Sequence, residues 1–205
     1  MSAGPDQHKE LVLASASPRR RAILSQLGLQ FQVIESGVHE AEPSGGDPEA
    51  YARGLASQKA DAVAARLRAQ GSSAFVLGAD TIVVIEGRVL NKPADDADAV
   101  RMLMALSGKQ HTVITAVALR SARDAAFERT IAVHSGVRFR AFERPTAERY
   151  AASGEGRDKA GSYAVQGLGA GLVRAIDGSY SNVVGLPACE TLELLIEAGV
   201  LGAWP

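Results

Sequence analysis

The chain has 205 residues, 46% of them hydrophobic and 22% charged, a composition typical of a globular protein and unlike that of a disordered one. Its 22 Lys and Arg nearly balance 23 Asp and Glu, so the net charge of −1 creates no field that would draw the protein to nucleic acid or an anionic membrane. Because one cysteine excludes an intramolecular disulfide and no segment approaches the roughly 20 apolar residues of a membrane span, we expect a cytoplasmic protein with neither nucleic acid nor a membrane as partner.

The first predicted unit is a strand over residues 11–15, followed by a helix that Ser17 caps and Pro18 begins. This helix ends at Gly28, and its first turn carries three arginines, residues 19–21. Cations destabilise a helix N-terminus, so their presence favours an anion bound at that end. A solvated arginine cluster is the alternative, and the residues alone do not decide between the two.

Residues 31–36 predict a second strand, and the polar loop that follows, residues 37–47, is a candidate lid carrying Glu40. A long helix then begins at Pro48 and extends to about residue 69. Lys59 lies on the apolar face of this helix. Its stem is therefore covered, and its ammonium must reach solvent, a cleft or a partner charge.

Two β-branched runs, residues 74–78 and 81–85, come next, and Asp80 lies between them. One carboxylate thus interrupts an apolar strand pair. A buried carboxylate needs a compensating cation or metal, and such groups are candidates for acid/base catalysis or metal binding. After a tight turn at residues 86–87, a returning strand ends near Lys92.

The second half of the chain predicts a long antiparallel hairpin between helices, and then a glycine-rich stretch, residues 154–178, that would allow close backbone approach to a ligand. The predicted elements are a helix over residues 95–107, strands over residues 111–120 and 130–142, a helix over residues 145–152, a strand over residues 172–176 and a last helix over residues 187–198. In that last helix we expect Leu192, Leu195 and Ile196 to face inward. Cys189 in the same helix is better explained as a buried structural thiol than as a nucleophile.

Several familiar signatures are absent from the sequence. It has no P-loop motif, and residues 167–171 lack the third glycine of a dinucleotide fingerprint. Its four histidines form no zinc-binding pair. What remains is a set of cations and two carboxylates that suits a phosphorylated ligand with a hard divalent metal: Arg19, Arg20, Lys59, Lys92 and Lys159, with Glu40 and Asp80.

At residues 13–20, Leu-Ala-Ser-Ala-Ser-Pro-Arg-Arg, the chain resembles the opening motif of the Maf family of nucleoside triphosphate pyrophosphatases. Similar blocks follow in order, at residues 55–60, 78–81, 92–93, 106–108, 154–155, 158–161, 166–167 and 182–187. The resemblance implies one Maf-like domain over residues 1–205. Its expected fold is α/β, with an elongated mixed sheet flanked by helices and two lobes about a deep cleft, as in inosine triphosphate pyrophosphatases.

The same resemblance implies hydrolysis of a nucleoside triphosphate to its monophosphate and pyrophosphate, with Mg²⁺ or Mn²⁺ as cofactor. Asp80 would accept the proton of the attacking water and contact the metal, and Glu40 would help to place metal or water. The side chains implied to hold the triphosphate are Ser17, Arg20, Lys59 and Lys92. The side chains implied to influence which base is accepted are Arg19, Thr81 and Gln166.

The block at residues 158–161, together with Gln166, is similar to the branch that acts on dTTP and UTP rather than on 7-methyl-GTP. The chain departs from the family pattern at His39, where an acidic residue is common, and at Ser135, where threonine is frequent.

A homodimer is a further expectation. The alternative function is a nucleotide-sensing inhibitor of septum formation without turnover. The inosine triphosphate pyrophosphatase family ranks lower, because its opening motif has Asn and Lys rather than Ser-Pro-Arg-Arg.

Overall fold

A computed structural model describes residues 9–40, 43 and 45–204. The strands are β1 (Leu11–Leu13), β2 (Gln32–Val33), β3 (Phe75–Ile85), β4 (Arg88–Leu90), β5 (Gln110–Ser121), β6 (Glu128–Phe139) and β7 (Val173–Asp177). The α-helices are α1 (Pro18–Gln26), α2 (Pro48–Ala69), α3 (Asp96–Leu106), α4 (Arg144–Ala152), α5 (Tyr180–Val184) and α6 (Ala188–Glu197). Two short 3-10 helices, Ala160–Ser162 and Gly167–Gly171, lie in the glycine-rich stretch.

The strands form one mixed sheet with the order β2-β1-β3-β5-β6-β7, and β4 pairs with β3 outside that path. β1 runs parallel to both β2 and β3, whereas all other pairs are antiparallel. Helix α2 covers one face, and α1 and α6 join the apolar cluster on the other. The predicted α/β class, a mixed sheet flanked by helices, is confirmed. Among the described residues, no helix is both long and apolar enough to cross a membrane.

Strand β3 organises the core because its side chains alternate between the two faces of the sheet. Val76 and Ile82 belong to the apolar cluster under α2. Leu77 packs on the opposite face with α1 and α6, and Val83 packs with α3 and α4. By the same alternation Asp80 faces α2, whereas Thr81 faces the other side. Two neighbouring residues of one strand thus supply polar groups to both faces.

An opening in the sheet lies beside these two residues. On one edge of β3, β1 pairs with residues 75–77 and β4 pairs with residues 83–85. Strand β5 pairs along the other edge without a gap, from Phe75 to Val84. Neither β1 nor β4 pairs with residues 78–82, so the chain after β1 can leave the sheet there and begin α1.

Gly78 allows α2 to lie close against this part of β3. A methyl group built on Gly78 would lie 2.5 Å from the carbonyl oxygen of Ala56 and 2.7 Å from the amide nitrogen of Ala60. Both atoms belong to the helix backbone, so no side-chain rotation could relieve the overlap. This close approach brings Lys59, on the same turn of α2, to the β3 carboxylate.

The structure corrects two predicted strands. The strand predicted over residues 31–36 shrinks to Gln32–Val33, since β1 ends at Leu13 and the carbonyl groups of Glu35 and Ser36 instead accept hydrogen bonds from Arg66 of α2. The two runs predicted on either side of Asp80 form one uninterrupted strand. Asp80 does not break it because β5 pairs continuously along this stretch.

Two expectations for α6 were wrong. Cys189 is exposed rather than buried, because it lies in the first turn and points away from the apolar cluster that receives Leu192 and Leu195. Ile196 was expected to face inward but is 39% exposed.

Candidate active site

A cavity of about 600 Å³, here called the central cavity, opens at the gap in the edge of β3. The loop between β1 and α1 forms one wall, and the residues after β4 and around the 3-10 helices form others. Every side chain that the resemblance implicates lines it: Ser17, Arg19, Arg20, Glu40, Lys59, Asp80, Thr81, Lys92 and Gln166. Residues 41, 42 and 44 of the candidate lid lie outside the described residues, and its closure stays a prediction.

A chain of alternating charges crosses the face of the cavity that α2 borders. Lys59 Nζ donates to Asp80 Oδ1 at 2.6 Å and to Glu40 Oε1 at 2.7 Å. Lys92 Nζ, at the mouth of the cavity, donates to Glu40 Oε2 at 3.1 Å. The side chains of Lys59 and Asp80 are only 9% and 8% exposed, whereas that of Lys92 is 56% exposed. The ammonium of Lys59 is therefore paired with opposite charges. Of solvent, a cleft and a partner charge, the three alternatives expected from the sequence, the structure shows the partner charge.

Glu40 is held ionised by these lysines. Burial alone would raise the pKa of its carboxyl, but the hydrogen bonds and charges of Lys59 and Lys92 outweigh burial and lower the pKa to about 2. At neutral pH Glu40 is therefore an acceptor only, and it keeps both lysines directed into the cavity.

This donor set fits a hard divalent cation. Glu40 and Asp80 both accept from Nζ of Lys59, so their carboxylates lie close together, and a cation held by both would displace that ammonium. Mg²⁺ is commonly bound through one or two carboxylates with substrate phosphates and waters as its other ligands. Within the described residues no group of three or more His, Cys, Asp or Glu could hold a metal, so further ligands would have to come from substrate or solvent.

Arg20 is buried at the opposite side of the cavity and fixed by three protein acceptors. Its Nε donates to Gly185 O at 2.8 Å, Nη1 to Ser15 Oγ at 3.2 Å and Nη2 to Thr81 Oγ1 at 3.0 Å. A guanidinium has five N–H groups, so two remain for an anion. Burial lowers the pKa of Arg20, which the negative charge of Asp80 opposes. A prearranged guanidinium with free donors suits a phosphate group.

Thr81 supports this guanidinium through a directed chain of hydrogen bonds. Thr115 is fully buried and its hydroxyl donates to Asn182 O at 3.0 Å. A hydroxyl has one proton, so in the 2.9 Å contact between Thr81 and Thr115 the donor is Thr81. With its proton used there, Thr81 accepts from Arg20 and helps to orient the guanidinium.

The family model described as Maf-like protein matches residues 10–198. The chain belongs to the Maf family. It is 49% identical to a protein of Shewanella oneidensis named dTTP/UTP pyrophosphatase, over 93% of this chain and 99% of that protein. It is 50% identical to a protein of the same name from Pectobacterium atrosepticum, over 90% of this chain and 91% of that one. A solved HAM1 protein of Coxiella burnetii aligns with 64% of this chain and 73% of its own, at 19% identity and a TM-score of 0.42.

In this Maf protein, Arg19 and the glycine-rich stretch approach each other across the cavity. Arg19 Nε donates to Val184 O at 3.2 Å, and its Nη1 lies 3.8 Å from Asp158 Oδ2. Lys159 donates to Asp158 Oδ1. Ser17 caps α1, its hydroxyl accepting from Arg20 N at 3.5 Å. Arg19 and Arg20 are thus held by protein partners and line the cavity, whereas Arg21 is exposed and does not line it.

The two departures from the family pattern lie outside the cavity wall. His39 is exposed and does not line the cavity. Ser135 is buried, donates to Ser179 O at 3.0 Å and accepts from Asn182 Nδ2 at 2.9 Å. Its role is to hold α5 against β6.

The sequence did not identify the residues that orient the side chains and the backbone of the site. Ser15 and Thr115 orient Arg20 and Thr81, and Tyr150 and Glu155 bind the glycine-rich stretch. Ser15, Thr115 and Tyr150 are polar residues in or beside apolar stretches, a signal that marks a buried hydrogen bond without naming its partner. Glu155 lies in a polar segment and gives no such signal. Their partners lie 5 to 34 residues away for Ser15 and Thr115, distances that only the fold brings together.

Proposed function

We propose that this Maf protein hydrolyses dTTP and UTP to the nucleoside monophosphate and pyrophosphate. The observation that carries the proposal is the placement of Asp80 between Lys59 on one side and the fixed guanidinium of Arg20 on the other, all lining one cavity. Relatives 44% to 50% identical and named dTTP/UTP pyrophosphatase support the substrate class.

In the proposed reaction the triphosphate is held by cations on both sides of the cavity. Arg20 offers its two remaining N–H groups, and Ser17 lies at the N-terminus of α1, where backbone N–H groups favour an anion. Lys59 and Lys92 face the same space and stabilise charge that accumulates on the phosphate oxygens as the bond to pyrophosphate breaks.

Asp80 is the proposed proton acceptor. Lys59 engages Oδ1, which leaves Oδ2 as the oxygen that directs a water at the α-phosphorus and takes its proton. Pyrophosphate leaves with the electrons of the α–β anhydride bond. Glu40 and Asp80 are the residues that would hold Mg²⁺ or Mn²⁺, and a bound divalent cation would neutralise part of the phosphate charge.

Gln166 and Arg19 are the proposed contacts to the base, with Thr81 acting through Arg20. A glutamine amide carries both a donor and an acceptor, which matches the edge of thymine or uracil. We further propose that residues 1–205 form one Maf-like domain with two lobes, that it acts as a cytoplasmic enzyme and that it assembles as a homodimer. The single cysteine, which excludes an intramolecular disulfide, supports the compartment.

The experiment is pyrophosphate release from dTTP, UTP, CTP, 7-methyl-GTP and ITP with Mg²⁺ or Mn²⁺. Wild type is expected to prefer dTTP and UTP, and Asp80→Asn to lose about 10²–10⁴-fold in kcat, the range for loss of a general base. Asp177→Asn is the matched control, because this exposed carboxylate lies outside the cavity. Binding of UTP by a wild type that releases no pyrophosphate with either metal would contradict the proposal and favour the nucleotide-sensing regulator.

A further inference from the structure

The position of the Gln166 side chain depends on the backbone segment that carries it. It is exposed, lines the central cavity, and within the described part of the chain its amide has no hydrogen-bond partner. Val165 before it is buried in the apolar cluster beneath α1 and α6. An amide without side-chain partners can select a base only if the segment that carries it is fixed.

Two side chains outside the cavity bind the segment on both sides of Gln166. Tyr150, in α4, accepts a hydrogen bond from Ala164 N at 3.0 Å. Glu155 accepts from Leu168 N at 2.9 Å through Oε1 and from Gly169 N at 2.8 Å through Oε2. Tyr150 also donates its proton to Glu155 Oε2 at 2.7 Å, so the two side chains form one unit. We call this unit the Tyr150–Glu155 clamp.

The space around the clamp is filled. Gly167 has a φ of +64°, and a methyl group built on it would overlap Glu155 Oε1. A methyl group on Gly169 would overlap the carbonyl oxygen of Ala164 and lie 2.8 Å from the Tyr150 hydroxyl. The backbone therefore lies directly against the clamp, and residues 164–169 have little freedom to shift while it is intact.

The charges of the clamp suit these roles at neutral pH. Burial would raise the pKa of the Glu155 carboxyl, but the donors of Tyr150, Leu168 and Gly169 outweigh it and lower the pKa. Burial raises the pKa of the Tyr150 hydroxyl, and the charge of Glu155 raises it further. Glu155 is therefore an ionised acceptor and Tyr150 a protonated donor.

We propose that Tyr150 and Glu155 are positioning residues for base selection: by fixing Gln166 relative to the phosphate-binding side chains, they set the preference for pyrimidine over purine triphosphates. A purine extends farther from the ribose than a pyrimidine does. A fixed distance between the phosphate site and the Gln166 amide therefore favours one of them, and a mobile segment would accept both. The inference rests on the proposed function, since it assigns base contact to Gln166.

The test compares kcat/KM for UTP and ATP, which differ only in the base, in wild type, Tyr150→Phe and Glu155→Gln. Each substitution keeps the shape of the side chain and removes hydrogen bonds of the clamp. We expect the ratio of kcat/KM for UTP to kcat/KM for ATP to fall roughly tenfold. A factor of this size corresponds to the loss of about one hydrogen bond to a charged group. Inhibition by inorganic tripolyphosphate, which has no base, should stay within about twofold of wild type, because neither clamp side chain contacts Arg20, Lys59 or Lys92. Lys159 binds the backbone oxygen of Glu155, which both substitutions keep. Glu148→Gln, an exposed position of the same helix, is the matched control.

A double-mutant cycle with Gln166→Ala decides whether the clamp acts through Gln166. We expect Tyr150→Phe to leave the UTP to ATP ratio unchanged once Gln166 has been removed. An equal loss for UTP and ATP in the single variants, or weaker tripolyphosphate inhibition, would overturn the inference in favour of general support of the fold. If wild type hydrolyses neither nucleotide, the proposed function fails, and the same ratio is then read from equilibrium binding of UTP and ATP.

Discussion

Replacing Lys59 by methionine tests the charge chain at its most buried point. The substitution keeps an unbranched side chain of similar length on α2 but removes the ammonium that lies 2.6 Å from Asp80 Oδ1. Both side chains are less than 10% exposed, at 9% and 8%, so solvent screens the pair weakly. Removing one partner of a buried ion pair costs about 3–5 kcal/mol, a large share of the roughly 5–15 kcal/mol that stabilise a typical domain.

Urea unfolding at pH 7 without nucleotide measures this loss, and thermal unfolding should show a decrease in Tm of roughly 6–20 °C for a chain of this size. The control is Lys59→Met combined with Asp80→Asn, which removes both charges of this pair, while Glu40 keeps its contact with Lys92 and Arg20 keeps its neutral acceptors. This double variant should recover about half of the lost stability or more, because removing both charges of a buried pair is often close to neutral. A single variant within about 1 kcal/mol of wild type, or a double variant as unstable as the single one, would refute the reasoning.

Three further predictions follow from the same geometry. The pKa of Glu40, lowered to about 2 from 4.5, means that Glu40 stabilises the fold above pH 4.5 and loses this contribution as the pH falls toward 2. Urea unfolding at pH 6 and pH 3 should therefore show a weaker pH dependence in Glu40→Gln, and an unchanged dependence would count against the lysine contacts. Gly78→Ala should lower the free energy of unfolding by about 1–3 kcal/mol through overlap with the backbone of α2 at Ala56, and an unchanged urea midpoint would contradict that packing. Arg20→Lys keeps the charge but not the fork that binds Gly185 O, so KM for UTP should rise roughly tenfold; an unchanged KM would remove Arg20 from the substrate contacts.

Local patterns in the sequence predicted most helices correctly. Asp47 and Pro48 mark the start of α2, and Ser17 and Pro18 mark the start of α1, because capping side chains and proline act on neighbouring residues. The interruption predicted at Asp80 was wrong because β3 pairs continuously with β5 there, and the buried carboxylate is compensated by Lys59, which is 21 residues distant. A pattern of single residues carries no information about such a partner.

In the candidate site, too, the sequence predicted the local features but not the contacts between distant residues. The types and order of its residues predicted a phosphate ligand, and the resemblance named the individual side chains. The arrangement itself comes from the fold: the gap between β1 and β4 on one edge of β3 creates the opening, and the alternation of β3 sends Asp80 and Thr81 to opposite faces. The clamp at Glu155 depends on contacts between backbone N–H groups and a side chain 13 and 14 residues earlier, which no spacing rule anticipates.

The central claim is that Asp80 directs water at the α-phosphorus, and hydrolysis of UTP in ¹⁸O-labelled water tests it most directly. Mass spectrometry of the products should find the label in the nucleoside monophosphate and none in pyrophosphate, with turnover lost in Asp80→Asn while UTP still binds. Label in pyrophosphate, release of orthophosphate, or an Asp80→Asn variant that retains wild-type turnover would contradict the account.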